Sequence, residues 1–346
     1  MTDVPISELR IDPIVGRKVL IAEDRAGRPN DFLVAADSAV AHASAPQVVS
    51  TCPFCVGNET HTPISDYVIR NQQGDWQVRV VPNKYPAVKC DPESIESEKQ
   101  LFISQPALGA HEVVIESPKH LYDVIHLSNE DFATVLHVYR ERLRHWERQD
   151  QIKHAIIFKN VGPAAGASLA HAHSQVIAFP YVSQFQAAEL QAAHQYFTTH
   201  KRCIFCQLLH NEFEQGIRLV AEEGPFAAIC AYAPRQPYET WILPTQHMAH
   251  FSQLSDAHLM SLANLLKQLL SSLHTQIPDL SYNLILHTAP FDRPGETAVD
   301  SYYHWHWELI PRTTRLAGLE WGTGVHVTPL APERAARFLR ENRVTT

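Results

Sequence analysis

No stretch of this sequence approaches the run of about 20 apolar residues that a membrane-spanning helix needs, so no membrane segment is expected. No secretory leader is expected either. Met1 to Pro13 carries Asp3, Glu8, Arg10 and Asp12 where a leader would be continuously apolar, so the expectation is a cytoplasmic protein. Positive charge is not in excess either: 29 basic residues face 37 acidic ones, a net charge of −8. That balance argues against nucleic acid as the main partner, while a local basic site could still meet an anionic substrate. With 45% hydrophobic and 19% charged residues, the composition is that of a globular protein and excludes collagen-like, coiled-coil and disordered chains. A length of 346 residues suits roughly two domains and a core that needs no covalent staples.

Cysteine is scarce, six residues in all, but four of them form two C-x-x-C pairs, Cys52/Cys55 and Cys203/Cys206. Without a secretory signal, this spacing reads as metal ligation rather than disulfide bonding. Cys90 and Cys230 read as incidental or buried thiols. Histidine is abundant, with 21 residues.

The segment His111-Glu-Val-Val-Ile-Glu-Ser-Pro-Lys-His120 is a half-buried strand ending in a polar corner, and 127 positions on stands Tyr238-Glu-Thr-Trp-Ile-Leu-Pro-Thr-Gln-His247. The same offset carries Leu127-Ser128 onto Leu254-Ser255. In the first copy, Ser128 three residues before Asp131 predicts a capped helix start. Phe132, Val135, Leu136, Tyr139, Leu143 and Trp146 then recur at helical spacing, as do Leu259, Leu262, Leu266, Leu270 and Leu273 in the second copy. A strand follows each helix, at Ala155 to Phe158 and at Tyr282 to Leu286. One offset held through strand, turn, helix and strand marks an internal duplication. The second copy has an insertion within Phe291 to Tyr303. Tyr181 to Arg202 reads as a helical bridge, while Asn30 to Ser50 and the acidic stretch Asp91 to Gly109 are irregular, the latter a mobile surface loop.

Both copies carry the same ordered set: C-x-x-C, a His after a strand-ending Pro, and an H-x-H. The first set is Cys52, Cys55, His120 and His171, with His173 completing the H-x-H. The second is Cys203, Cys206, His247 and His304, with His306 in the equivalent place. Two thiolates and two imidazoles suit a closed, tetrahedral, structural zinc site. The second set could hold zinc or iron, and a rival second cluster is Glu189, His287, His304 and His306.

Alternation in a strand puts both histidines of an H-x-H on one face. If a metal holds His171, then His173 is presented beside it as a positioned imidazole. Upstream, Asn160-Val-Gly-Pro-Ala-Ala-Gly-Ala-Ser168 is a small-residue turn able to aim N–H groups at phosphate oxygens. Downstream, Gln175 shares the face of His173 and can donate an amide hydrogen to such an oxygen. A neutral imidazole beside a phosphate cradle suits attack on phosphorus, giving a phosphoramidate.

The run Gly166-Ala-Ser-Leu-Ala-His171-Ala-His173-Ser-Gln175 resembles the active-site motif of the galactose-1-phosphate uridylyltransferase family, in the histidine-triad superfamily. Asp12-Pro, Arg25-Ala-Gly-Arg28-Pro, Cys52-Pro-Phe-Cys-Val-Gly-Asn58, Asn83-Lys-Tyr-Pro86, the Glu116 to His120 corner and Gly322-Thr-Gly324 add to the likeness. The resemblance implies an α+β fold, tandem duplicated histidine-triad-like αβ repeats forming an antiparallel half-barrel, usually as a homodimer. The repeats would span 1–180 and 203–346, with a bridging helix at 181–202. It also implies a ping-pong transfer between a nucleotide sugar and a hexose 1-phosphate through nucleotidyl-His173. Gln175 and Ser168 would hold phosphate oxygens, Asn160 and Gly166 would shape the nucleotide pocket, and Asn83 would touch the nucleotide unless it only forms a turn. Arg25 and Arg28 would supply positive charge; read alone, either is a solvated surface residue.

The chain departs from the family's best-known form at Ala172, where that form has Pro, at Ser174, where it has Gly, and at Gly322-Thr323-Gly324, where it has Tyr-Glu. These changes are similar to the ADP-glucose phosphorylase branch, which moves adenylyl groups to phosphate, and they also occur in bacterial uridylyl-transferring members. After the second H-x-H stands Glu308 in place of Gln, which favours a metal-binding or degenerate half. The leading expectation is a UDP-glucose:hexose-1-phosphate uridylyltransferase involved in galactose use. Its alternative is an adenylyltransferase of the ADP-glucose phosphorylase type. A non-catalytic, zinc-stabilised nucleotide-binding module and a zinc hydrolase with an open metal position are the other classes, and the four-ligand sets count against the hydrolase.

Overall fold

The computed structural model describes residues 7–27, 48–91, 101–291 and 299–344. Within these residues the strands are β1 (Ser7–Ile11), β2 (Lys18–Ala22), β3 (Tyr67–Arg70), β4 (Trp76–Pro82), β5 (Ala110–Ile115), β6 (His154–Val161), β7 (His173–Phe179), β8 (Leu219–Glu223), β9 (Phe226–Cys230), β10 (Thr240–Pro244), β11 (Tyr282–His287), β12 (His306–Pro311) and β13 (His326–Thr328). The helices are α1 (Asn129–Glu147), α2 (Gln184–His200), α3 (Ile204–Gln215), α4 (Asp256–Gln276), α5 (Gly318–Thr323) and α6 (Pro332–Glu341). β1, β2 and β13 make a small sheet. The other ten strands form one antiparallel sheet in the order β3-β4-β5-β7-β6-β11-β12-β10-β9-β8.

That order shows the duplication in space. Read inward from either edge, the sheet repeats a hairpin, a strand, the strand that begins at the second His of H-x-H, and a central strand. The halves meet where β6 pairs with β11, from Val161↔Tyr282 to Ile157↔Leu286. The equivalent helices α1 and α4 pack against each other across this seam. α1 buries Phe132, Val135, Leu136, Tyr139, Leu143 and Trp146, and α4 buries Leu259, Leu262, Leu266, Leu270 and Leu273. These are the helical-period apolar positions, because only that stripe can meet the sheet. Ser128 caps α1, its Oγ accepting from the Asp131 N–H at 3.0 Å, whereas Ser255 makes no such bond at the start of α4.

One apolar core runs through both halves under α1 and α4. The opposite face is treated unequally. Over the second half, Ala193 of α2 and Phe205 and Leu209 of α3 cover Ile229, Trp241 and Leu243. Over the first half, among the described residues, lies a small cluster containing Cys52, Phe54, Cys55, Trp76, Val81, Val113 and Ile115. α2 follows the first repeat in the chain and roofs the second, so among the described residues a cleft stays open above the first. Among the described residues no helix is long and apolar enough to cross a membrane.

Candidate active site and metal centres

His173 opens β7, and His171 lies just before the strand rather than within it. His171 Nδ1 lies 3.4 Å from Cys52 Sγ and 3.7 Å from Cys55 Sγ, and His120 Nδ1 lies 3.4 Å from Cys55 Sγ. A tetrahedral zinc with bonds of about 2.3 Å to sulfur and about 2.0–2.1 Å to nitrogen holds S and N about 3.5 Å apart. The donor set thus fits the ion without rearrangement. His171 Nε2 faces the Ser117 carbonyl at 2.9 Å, the outer hydrogen bond that orients a metal-binding imidazole. Burial pulls the His171 pKa down to about 4, which keeps the ring neutral as ligation requires.

The second set repeats this arrangement. Cys206 Sγ lies 3.3 Å from His247 Nδ1 and 3.6 Å from His304 Nδ1, and all four donors, Cys203 included, fall within 4.8 Å of one another. His304 Nε2 faces the Pro244 carbonyl at 3.0 Å, and Pro244 stands 127 positions after Ser117. Cys203 is pulled down to about 3 by the hydrogen bond from Cys206, with His247 and His304 adding to it against burial. The rival cluster does not gather as a whole, because His304 belongs to the cysteine set. Glu189, His287 and His306 remain together, with the two imidazoles stacked at 4.8 Å.

His173 faces a different surrounding. Its Nδ1 donates to the His171 carbonyl at 2.7 Å, which leaves Nε2 with the lone pair. Burial lowers its pKa, the bond to the His171 carbonyl pulling the other way, so the ring is neutral near pH 7. Phe54 packs 5.3 Å from the ring. Behind the strand, Lys159 Nζ holds the His173 carbonyl at 3.0 Å and Glu116 at 2.6 Å, and Glu116 in turn accepts from the Tyr139 hydroxyl. A cleft of about 560 Å³ opens in front, lined by Phe54, Asn83, Val113, Ser168, His173 and Gln175 among others. The equivalent His306 has no such opening. It is fully buried against Phe205 and Trp241, and Glu308, at the place of Gln175, is paired with Arg235 at 2.7 Å and His287 at 3.1 Å.

A positioned, neutral, cleft-facing imidazole in a duplicated αβ frame is what the motif resemblance leads one to expect. The N-terminal domain model of galactose-1-phosphate uridyl transferase matches residues 1–183, and the C-terminal domain model matches residues 189–319. The chain belongs to this family. An ADP-glucose phosphorylase from Arabidopsis thaliana is 31% identical over 98% of this chain and 93% of its own. A galactose-1-phosphate uridylyltransferase from Thermotoga maritima is 28% identical over 85% of this chain and 90% of its own. A crystal structure of the Arabidopsis thaliana ADP-glucose phosphorylase with bound ADP-glucose superposes with a TM-score of 0.82 at 29% identity, covering 97% of this chain and 99% of that one.

Not every residue that the uridyl transferase motif singles out reaches the cleft. Ser168 and Asn83 line it, and Asn83 also makes a turn, its Oδ1 accepting from the Tyr85 N–H at 2.8 Å. Asn160 stands on β6 and accepts from Asn283 at 2.8 Å, while Gly166 closes the turn after β6 with φ of +83°, a conformation that favours glycine. Neither is part of the cleft lining. Gly322 and Thr323 are on α5 and Gly324 is its cap, again away from the lining. Arg25 is exposed on a short 3₁₀ turn, and Arg28 lies outside the described residues. The motif reading gave no role to His111, Lys159 or Glu116. His111 was visible only as a member of the repeated strand and Glu116 only as the start of the Glu116 to His120 corner, and nothing local tied any of the three to His173 or Gln175.

Proposed function

We propose that this member of the galactose-1-phosphate uridyl transferase family moves an adenylyl group from ADP-glucose to inorganic phosphate through His173. The observation that carries the donor choice is the similarity to the Arabidopsis thaliana ADP-glucose phosphorylase, which extends over nearly the whole of both chains. Ala172, Ser174 and Gly322-Thr323-Gly324 agree with this choice but do not discriminate, since uridylyl-transferring members share them.

In the first half-reaction, the Nε2 lone pair of His173 attacks the α-phosphorus and the bond to the bridging oxygen breaks, so glucose 1-phosphate leaves. In the second, a phosphate oxygen attacks the same phosphorus, the N–P bond breaks, and ADP departs with His173 regenerated. The His171 carbonyl accepts the hydrogen bond from Nδ1–H throughout, which stabilises positive charge on the ring as the N–P bond forms. Gln175 supplies an amide N–H to a phosphate oxygen, and Ser168 a hydroxyl. Zinc is the metal we assign to both cysteine–histidine sets, where it would hold His171 and His304 and supply no open coordination position.

The test is the intact mass of the protein after brief exposure to ADP-glucose and, separately, to UDP-glucose, with His173→Ala as control. The expected result is an adenylyl adduct on the native protein and none on the variant, which keeps its metal and fold while turnover falls by several orders of magnitude. A uridylyl adduct alone would return the chain to hexose-1-phosphate uridylyl transfer. An adduct on the variant would end the His173 mechanism.

A further inference from the structure

β5 turns His111, Val113 and Ile115 toward the cleft face, and Glu112 the other way, where it pairs with Arg142 of α1 at 2.5 Å. β5 pairs with β7 so that Val113 stands opposite Gln175, which makes His111 the diagonal neighbour of Gln175. Diagonal neighbours are within reach when both side chains are long. His111 Nε2 lies 2.7 Å from Gln175 Oε1.

The other ring nitrogen decides the direction of that bond. His111 Nδ1 accepts from the Ala87 backbone N–H at 3.1 Å, and a backbone N–H can only donate. A neutral imidazole has one donor and one acceptor, so Nε2 carries the proton and Gln175 Oε1 receives it. Asn83 Nδ2 lies 3.0 Å from the same Nε2, but its Oδ1 is taken by the Tyr85 N–H, so Gln175 is the acceptor. Burial lowers the His111 pKa, against the effect of the Gln175 bond, which keeps the ring in this neutral form.

An unrestrained glutamine can turn either its carbonyl or its NH₂ toward a bound group. With Oε1 turned to His111, the NH₂ is the end of the amide left toward the cleft, and it favours a hydrogen-bond acceptor there. We infer that His111 is a positioning residue that sets the orientation of the Gln175 amide, so that the group held beside His173 is anionic phosphate. The inference rests on the nucleotidyl-transfer reading and deepens it. Setting the amide beforehand removes the rotational freedom that would otherwise be lost at the transition state.

The test is the single-turnover rate of adduct formation on His173, read by intact mass with ADP-glucose and UDP-glucose in separate runs, using whichever labels the native protein. His111→Leu should slow it by about 10- to 100-fold, the scale of a misdirected donor to developing charge. His111→Gln, whose amide nitrogen can reach the same oxygen, should recover most of that loss. In a Gln175→Ala background, His111→Leu should cost less than about 2-fold more, since coupled residues do not add. An equal loss in both backgrounds, or no recovery with His111→Gln, would overturn the assignment. The His111 tautomer, read from the ring ¹⁵N shifts of histidine-labelled full-length protein, is independent of turnover. If the native protein forms no adduct with either nucleotide sugar, the transfer reading falls and the tautomer decides alone: protonated Nε2 supports the inference, protonated Nδ1 overturns it.

Discussion

Asp123 illustrates what one side chain can carry. It is fully buried, yet its carboxylate accepts from the Tyr282 hydroxyl at 2.9 Å and from His274 at 3.0 Å, so a loop of the first repeat is held by β11 and α4 of the second. Burial alone would raise its pKa, but His274, Lys159 and Tyr282 together hold it below the usual carboxylate range. A carboxylate whose pKa is lower folded than unfolded adds stability at pH values above its unfolded pKa of about 4, and that stability is lost as pH falls through the folded value. Asp123→Asn is therefore expected to cost about 1–3 kcal/mol at neutral pH and to flatten the loss of melting temperature on acidification below about pH 4. Thermal unfolding as a function of pH checks this. Parallel acid profiles for native protein and variant would show that Asp123 is not the group responsible. His173 and His306 make a related point: the same residue on equivalent strands is a cleft-facing imidazole in one repeat and a covered core group in the other, because their roofs differ.

Among the elements, the strand β7 depends most on what precedes it. Cys52, Cys55 and His120 converge on His171, and two residues later the strand begins with His173. A metal here would tie two loops to the approach of the strand that carries His173. Cys52→Ala should remove about one metal equivalent per chain, lower the melting temperature and slow adduct formation, since metal binding and folding are coupled. Cys203→Ala should remove the other equivalent and lower stability with a smaller effect on the adduct, because its set supports β12 and the buried His306. Elemental analysis beside the adduct assay checks both. An unaltered metal content in Cys52→Ala would take that cysteine out of the ligand set, and a larger adduct defect in Cys203→Ala would overturn the division between the two sets.

At the scale of the molecule, the two repeats share a sheet through β6 and β11 and a core beneath α1 and α4. Separating them would expose the inner edge of a strand along with much of that core. The whole chain is expected to unfold in one cooperative transition, with residues 1–180 and 203–346 insoluble when expressed apart. Calorimetry and separate expression test this. Two well-resolved transitions, or soluble halves with native-like circular dichroism, would make the repeats independent.

Local pattern by itself determined the repeat, the amphipathic faces of α1 and α4, both cysteine–histidine sets and the His171 to Gln175 motif. Each is a matter of spacing along the chain, and the duplication let every reading be checked against its copy. Tertiary structure alone decided which second cluster takes His304, which repeat keeps an open cleft, and which candidates stand away from it, such as Asn160, Gly166 and Gly322 to Gly324. It also brought His111 to Gln175 and Lys159 to the His173 carbonyl. Those contacts depend on strand order and on where α2 and α3 settle, and long-range pairing leaves no periodic trace in the residues that make it.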